Sequence, residues 1–138
     1  MSGLQLFYSK RRELYRLALG SCLVAIIVLS LVPGEVRPQT GAPGEFEHFI
    51  AYMGTGLFVA ARYRSLRPRL ALWAATAALS FVLEFMQKFV PGREPDIFDA
   101  LASLSGLTLG VLLGGLIIST IHRWRRDFVD ETVVEPAE

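Results

Sequence analysis

The sequence predicts an all-α integral membrane protein with four transmembrane helices in an antiparallel bundle. Of its 138 residues, 52% are hydrophobic, and the mean hydropathy is +0.42, too apolar for a soluble domain of this size. The apolar residues form long blocks and the charges lie in the gaps between them, which is typical of polytopic membrane proteins. The single cysteine, Cys22, lies inside the first block and excludes a disulfide within the chain.

The first apolar block begins at about Leu14 or Leu17 and ends at Val32, after a basic segment at residues 1–16. That segment predicts a cytoplasmic anchor or a short helix on the membrane surface. A secretory signal peptide also has a basic leader, but no Ala-x-Ala site precedes Pro33 and the rest of the chain is itself apolar. We therefore expect a retained transmembrane helix.

The second block follows a loop, because three prolines and three glycines lie between residues 33 and 44. It runs from about Glu47 to Tyr63 and spans about 24 Å, so it crosses a membrane only with its polar ends drawn inward or the bilayer locally thinned. Its polar residues share one face, which predicts contact with other helices and not with lipid. These residues are Glu45, His48, Tyr52 and Thr55.

A connection with four arginines, at residues 62–69, leads to the third block, and its shortness predicts that the second and third helices are antiparallel neighbours. The third block, from about Leu70 to Val90, spans about 31 Å, which is enough for a normal bilayer. Trp73 lies near the arginine end, as expected of an interfacial aromatic residue. The last two turns carry a polar face, formed by Glu84, Gln87 and Lys88.

The fourth block, from about Asp96 to Ile121, has a small residue at every fourth position, which predicts close packing against another backbone. These residues are Ala102, Gly106, Gly110 and Gly114. The partner is either a helix of the same chain or a second copy in a homodimer. Residues 17–121 thus form the membrane domain, and residues 122–138 predict a basic anchor followed by a disordered acidic tail.

The distribution of basic residues predicts the orientation. The N-terminal segment, the second connection and the C-terminal anchor hold four, four and three of them, which is 11 of the 14 Lys and Arg. Both termini are therefore expected in the cytoplasm, in a multi-pass protein of the bacterial inner membrane. Polar residues of three helices and one loop then meet at the outer end of the bundle. We expect a polar cluster there: His48, Tyr52, Glu84, Gln87, Arg93 and Asp99.

The same residues also have purely structural interpretations. Arg93 can form an ion pair with Glu84 or Asp99 that closes the third and fourth helices, and Asp96 can cap the fourth helix. We expect no metal site, because zinc favours several nitrogen or sulfur ligands and His48 is the only histidine on this side. The sequence lacks a phosphate-binding loop, a nucleophile elbow and paired cysteines, so no cofactor is expected, and nothing in it predicts nucleic-acid binding.

One spacing pattern is more specific than the rest. It reads His48-x-x-x-Tyr52 with Gly56, then Glu84-x-x-Gln87-x-x-x-Pro91-Gly92-Arg93, then Asp99 with Gly106. From about Leu31 to Gly110 the chain resembles the VanZ-like family of small bacterial membrane proteins. Two positions differ from that family: Gly44-Glu45 replaces a common Asp-Lys pair, and Ser103 replaces an asparagine. The resemblance implies a cell-envelope role, since the founding member is linked to resistance to the glycopeptide teicoplanin.

Three classes of function remain open. In a binding protein, Arg93 holds an anionic group of an envelope lipid, a cell-wall precursor or a glycopeptide antibiotic, and the carboxylates shape the pocket. In a membrane-embedded enzyme, Glu84 or His48 acts as a general base on a lipid headgroup. In a structural or assembly protein, the cluster only joins helices. An ion pathway is disfavoured, because the inner halves of the helices offer few polar residues: Ser21, Thr76, Thr108 and Ser119.

Overall fold

The computed structural model describes residues 3–38 and 40–133, and these residues form helices and loops without a strand. The all-α prediction is therefore confirmed for the described part of the chain. Four helices follow one another along the sequence: α1 (Gly3–Leu31), α2 (Gly44–Arg62), α3 (Leu66–Gln87) and α4 (Ile97–Val133).

Three stretches among the described residues are long and apolar enough to cross a membrane. They lie in α1, α3 and α4, at Ser9–Leu31, Leu66–Gln87 and Ile97–Trp124. The second helix is long enough but not apolar enough, because its polar residues, among them the acidic residues of its first turn and Arg62 in its last, lower its mean hydropathy. Instead it packs against each of the other three helices.

The first three helices begin earlier than the sequence predicts, α1 and α3 by at least one turn. The basic N-terminal segment belongs to α1 itself and is not a separate surface helix, and α1 ends just before Pro33. The third helix begins at Leu66, inside the arginine-rich connection. Pro68 is compatible with this start, because the first turn of a helix does not use its N–H groups within the helix.

The tail differs from its prediction. The fourth helix continues to Val133, through residues whose composition predicts disorder from Asp127 onward. Adding residues to an existing helix costs far less free energy than nucleating a new one, so a long apolar helix extends readily into polar sequence. Residues 134–138 of the predicted tail lie outside the described residues.

The closest helix pair is α2 with α4. Gly106 lies against the backbone carbonyl of Phe49, and Gly114, about two turns further along α4, lies against Leu57, about two turns further along α2. Because the paired positions rise together along both helices, α2 and α4 run parallel. A Cβ atom at Gly106 would collide with the Phe49 carbonyl, so this approach requires glycine.

This packing bears on two expectations. The small-residue groove of α4 was expected to hold either a helix of the same chain or a second copy, and α2 of the same chain lies in it. In addition, α2 and α3 touch less than any other contacting pair of helices, although only a short turn joins them. That turn brings the helix ends together, whereas α3 packs along α4. Trp73 donates a hydrogen bond from Nε1 to Thr108 Oγ1 at 3.0 Å and so joins α3 to α4.

The connections gather at two opposite ends. The α1–α2 and α3–α4 loops meet where the Gly34 N–H donates to the Pro91 carbonyl at 3.1 Å. Gly92 follows with a φ of +70°, a conformation that favours glycine. At the other end, Arg69 donates two hydrogen bonds to the Tyr63 carbonyl, at 3.0 and 3.2 Å, and so caps the end of α2. The start of α2, the end of α3 and the start of α4 therefore share the loop end of the bundle.

Candidate functional site

The loop end holds a group of side chains that we call the polar cluster. Three helices supply it: α2 contributes two residues one turn apart, α3 contributes two from its last turns, and α4 contributes two from its first turns. Its members are His48, Tyr52, Glu84, Gln87, Asp99 and Ser103. Five of these were singled out from the sequence as site residues, and the structure brings them together. Lys88, expected on the same polar face of α3, follows the end of the helix and is exposed.

His48 lies between a hydroxyl and a carboxylate. Its Nδ1 is 3.2 Å from Ser103 Oγ, and its Nε2 is 3.6 Å from Asp99 Oδ2. Ser103 and Asp99 are four residues apart on α4 and so face the imidazole from one side of that helix. The second distance is too long for a hydrogen bond. The ring of Tyr52 stacks against His48, with centroids 6.4 Å apart, and completes the setting of the imidazole.

Glu84 is buried and holds the start of α4. Its Oε1 accepts the backbone N–H of Asp96 at 2.7 Å, and Gln87 Nε2 is 3.4 Å from its Oε2. Asp96 in turn accepts the N–H of Phe98 at 2.9 Å through its own side chain, which confirms the predicted N-cap. The Glu84 carboxylate is thus oriented by one strong hydrogen bond, and its other oxygen is only weakly engaged.

Arg93 does not form the interhelical ion pair considered from the sequence. Its guanidinium donates to the Leu29 carbonyl at 2.6 Å and to the Ser30 carbonyl at 3.5 Å, both at the end of α1. The last carbonyls of a helix lack partners within it, so they compete with carboxylates for a nearby arginine. Among the described residues, no arginine or lysine lies within 4.0 Å of the carboxylate of Glu84 or Asp99.

The Arg93 side chain retains unused hydrogen-bonding capacity. Its Nε is buried and has no hydrogen-bond partner in the described structure. Burial lowers the pKa of Arg93, and the positive charge of Arg37 lowers it further. Arginine nevertheless stays protonated in proteins, so the guanidinium is a half-buried cation whose Nε donor is unused.

A cavity of about 310 Å³ lies beside Arg93, between α1, the α1–α2 loop and α2. Apolar residues of α1 form one wall and charged or polar residues form the opposite end. The polar end consists of Ser30, Arg37, Thr40, Glu47, His48, Tyr52 and Arg93. Within it, Glu47 accepts hydrogen bonds from both Arg37 and Thr40. His48 and Tyr52 therefore belong both to this cavity and to the polar cluster.

Arg37, Thr40 and Glu47 also line this cavity, although the sequence did not predict them as site residues. The only available signal was that Arg37 is the single basic residue of the first loop. A loop residue has no helical period to relate it to a helix face, so its position over the cavity becomes visible only in the fold.

Three members of the polar cluster carry groups that bind metals. His48, Glu84 and Asp99 each offer one ligand atom, and these atoms lie within 4.8 Å of one another. They come from three different helices, so only the folded bundle assembles them.

The fold and the site define an all-α protein with three helices able to cross a membrane and a polar cluster at one end of the bundle. The model of the VanZ/LLP1 family matches residues 4–119, so the chain belongs to this family, as the sequence pattern indicates. Searches of curated proteins and of solved structures gave no match.

Proposed function

We propose that this protein is a multi-pass protein of the bacterial cytoplasmic membrane that recognises the anionic headgroup of an envelope lipid or a lipid-linked cell-wall precursor. The cavity beside Arg93 carries the proposal. It combines two arginines and a histidine at one end with an apolar wall from α1 at the other. A lipid has the same division between a charged headgroup and an apolar chain.

The proposal includes four membrane crossings, antiparallel consecutive helices and two cytoplasmic termini. It is supported by the contact between the α1–α2 and α3–α4 loops, which lies at the end opposite the α2–α3 turn. The positive-inside rule then favours the arginine-rich turn on the cytoplasmic side. Enclosure by the other three helices allows α2 to cross despite its charged ends, because those ends need not meet lipid.

Arginine suits an anionic headgroup for a geometric reason. Its planar guanidinium offers several donors that match phosphate and carboxylate oxygens, and such charge-assisted bonds are stronger than neutral ones. Arg93 lines the cavity, and its hydrogen bonds to the end of α1 both come from Nη2, so the guanidinium has further donor capacity for a phosphate. A glycopeptide antibiotic is far larger than a cavity of about 310 Å³ and can enter only with one group, so we favour the lipid.

Titration with defined lipids tests the proposal. The purified protein in nonionic detergent receives short-chain phosphatidylglycerol, which is anionic, or short-chain phosphatidylcholine, which is zwitterionic. We expect saturable binding of phosphatidylglycerol, weakened about tenfold or more in Arg93→Gln, because a hydrogen bond to a charged group contributes about 1.5–3 kcal/mol. Arg67→Gln changes an exposed arginine at the other end and should leave binding unchanged.

Two results oppose the proposal. Equal binding of both lipids indicates general detergent-like association, and unchanged binding in Arg93→Gln removes the arginine from the site. A glycopeptide tested in the same assay shows whether an antibiotic competes for the cavity. Circular dichroism of each variant checks that the helices remain, since Arg93 also caps α1.

The contacts of His48 favour a second candidate, an acid–base enzyme acting on a lipid headgroup. The imidazole lies beside the cavity and between Ser103 and Asp99, an arrangement that orients a general base. Ser103 is only 1% exposed, so the histidine and not the hydroxyl reaches a substrate. Turnover of a lipid-linked substrate that disappears in His48→Gln supports this candidate. Binding without turnover leaves recognition as the function.

A further inference from the structure

We propose that His48, Glu84 and Asp99 bind one divalent transition-metal ion between α2, α3 and α4. This site goes beyond the proposed lipid recognition and does not depend on it. It also departs from the sequence-based expectation of no metal, which considered nitrogen and sulfur ligands and could not bring two carboxylates to the histidine.

The distances fit one small ion after a slight contraction. Ligand atoms about 2.0–2.2 Å from a tetrahedral Zn²⁺ lie about 3.4 Å from each other. His48 Nε2 and Asp99 Oδ2 are 3.6 Å apart, which is too far for a hydrogen bond and suitable for two ligands of one ion. The three ligand atoms, including that of Glu84, lie within 4.8 Å of one another, so small side-chain rotations close the site.

The charges also favour a divalent cation. Two carboxylates in the interior of a membrane protein carry a high desolvation cost unless positive charge neutralises them. Within the part of the chain that the structure describes, no lysine or arginine pairs with either carboxylate. The two nearby arginines are engaged elsewhere, Arg93 on the end of α1 and Arg37 on Glu47. A divalent ion supplies the charge that cancels both carboxylates.

Neighbouring groups already orient the proposed ligands. When Nδ1 of His48 donates to Ser103 Oγ, the lone pair of Nε2 faces Asp99, as in histidines that bind metals. The Asp96 N–H holds Oε1 of Glu84 at 2.7 Å, and Oε2, which has only a long contact of 3.4 Å with Gln87 Nε2, is the oxygen offered to the ion. These contacts hold the His48 ring and the Glu84 carboxylate in place before an ion binds.

The residue set narrows the identity of the ion. One imidazole with two carboxylates suits Zn²⁺ or Mn²⁺ better than Mg²⁺ or Ca²⁺, which favour oxygen ligands alone. Three protein ligands leave at least one coordination position open for water or another group. His48 also borders the cavity, so that position can face the space beside Arg93.

Calorimetric titration tests the site in the full chain, purified in detergent and stripped with a chelator. We expect Zn²⁺ or Mn²⁺ to bind with one ion per chain and to raise the unfolding temperature, since binding to the folded state stabilises it. His48→Gln, Glu84→Gln and Asp99→Asn should each weaken binding about tenfold or more. His122→Gln and Cys22→Ser should keep full affinity, because these other metal-binding side chains lie outside the cluster.

The proposal is overturned by a lack of saturable binding of both ions, by full affinity in all three ligand variants, or by loss of binding in either control. A measurement on the wild type alone keeps the test valid if the variants fail to fold. In that measurement, spin-echo spectra of bound Mn²⁺ should show coupling to the nitrogen of one imidazole. Bound Mn²⁺ without that coupling excludes His48 as a ligand and also overturns the proposal.

Discussion

The α2–α4 interface and the polar cluster are neighbours along α2 and α4, with α3 completing the cluster, yet they are built in opposite ways. In the interface, glycines bring two backbones into direct contact, and a Cβ at Gly106 or Gly110 has no space. In the cluster, His48 is 3.2 and 3.6 Å from its neighbours, and neither Glu84 nor Asp99 pairs with a lysine or arginine in the described structure. The interface allows only one arrangement of the two backbones, whereas the side chains of the cluster can still bind a further group.

The two regions nevertheless depend on the same alignment of α2 along α4. His48 belongs to the cluster, and the carbonyl of the next residue, Phe49, rests on Gly106. The same contact that packs the helices therefore positions the imidazole opposite Ser103 and Asp99 on α4. The rigid region thus provides the alignment that the polar region needs.

The largest expected effect concerns the interface. In Gly110→Ala, the new Cβ meets the carbonyl of Met53, and backbone cannot move aside as a flexible side chain can. We expect a loss of about 3 kcal/mol in the free energy of unfolding, the upper part of the range for overpacked cores. Unfolding in mixed detergent, followed by circular dichroism, measures it.

Gly54→Ala is the matched control, since a Cβ at Gly54 on α2 meets nothing within 4 Å. There we expect no loss and a gain of up to about 1 kcal/mol from the higher helix propensity of alanine. Equal losses at both positions would mean that the α2–α4 contact does not decide stability.

A smaller effect is expected where a polar contact is fully formed. Trp73→Phe removes the donor that reaches Thr108 Oγ1 at 3.0 Å and keeps an aromatic ring between α3 and α4. We expect a loss of about 1 kcal/mol, the usual contribution of one hydrogen bond. A double-mutant cycle with Thr108→Val isolates the bond, and additive losses would show that it contributes nothing.

The sequence predicted those features that depend on local pattern. Apolar blocks and prolines located the helices and the loop before α2, and helical spacing placed His48 and Tyr52 on one face. The segregation of basic residues between loops predicted that the polar residues lie at the same end of the bundle. These properties are visible within single segments, so no knowledge of the tertiary fold was needed.

The features that the sequence did not predict depend on which helix surfaces meet in the fold. The glycine stripe of α4 revealed a groove but not its occupant, which is α2 and not a second copy. Arg93 donates to backbone carbonyls at the end of α1, and a search for charged side chains as its partners does not identify them. Spacing along α3 and α4 placed Glu84 and Asp99 at the same end, but their approach to His48 within 4.8 Å follows from helix rotation, which a sequence does not state.

The smallest effect on stability is expected in the polar cluster, and it tests the contrast with the α2–α4 interface most directly. Glu84→Gln keeps the shape of the side chain and an oxygen for the Asp96 N–H, and it removes a buried charge near Asp99. We expect the unfolding free energy of chelator-treated protein to stay within about 1 kcal/mol of the wild type or to rise, as often happens when a functional site loses repelling groups. Glu47→Gln, which breaks a formed pair with Arg37, is the control at the same end. If Glu84→Gln instead costs about 3 kcal/mol or more, the carboxylate joins helices as a buried ion-pair partner does. The polar cluster would then belong to the architecture with the glycines, and the difference between the two regions would disappear.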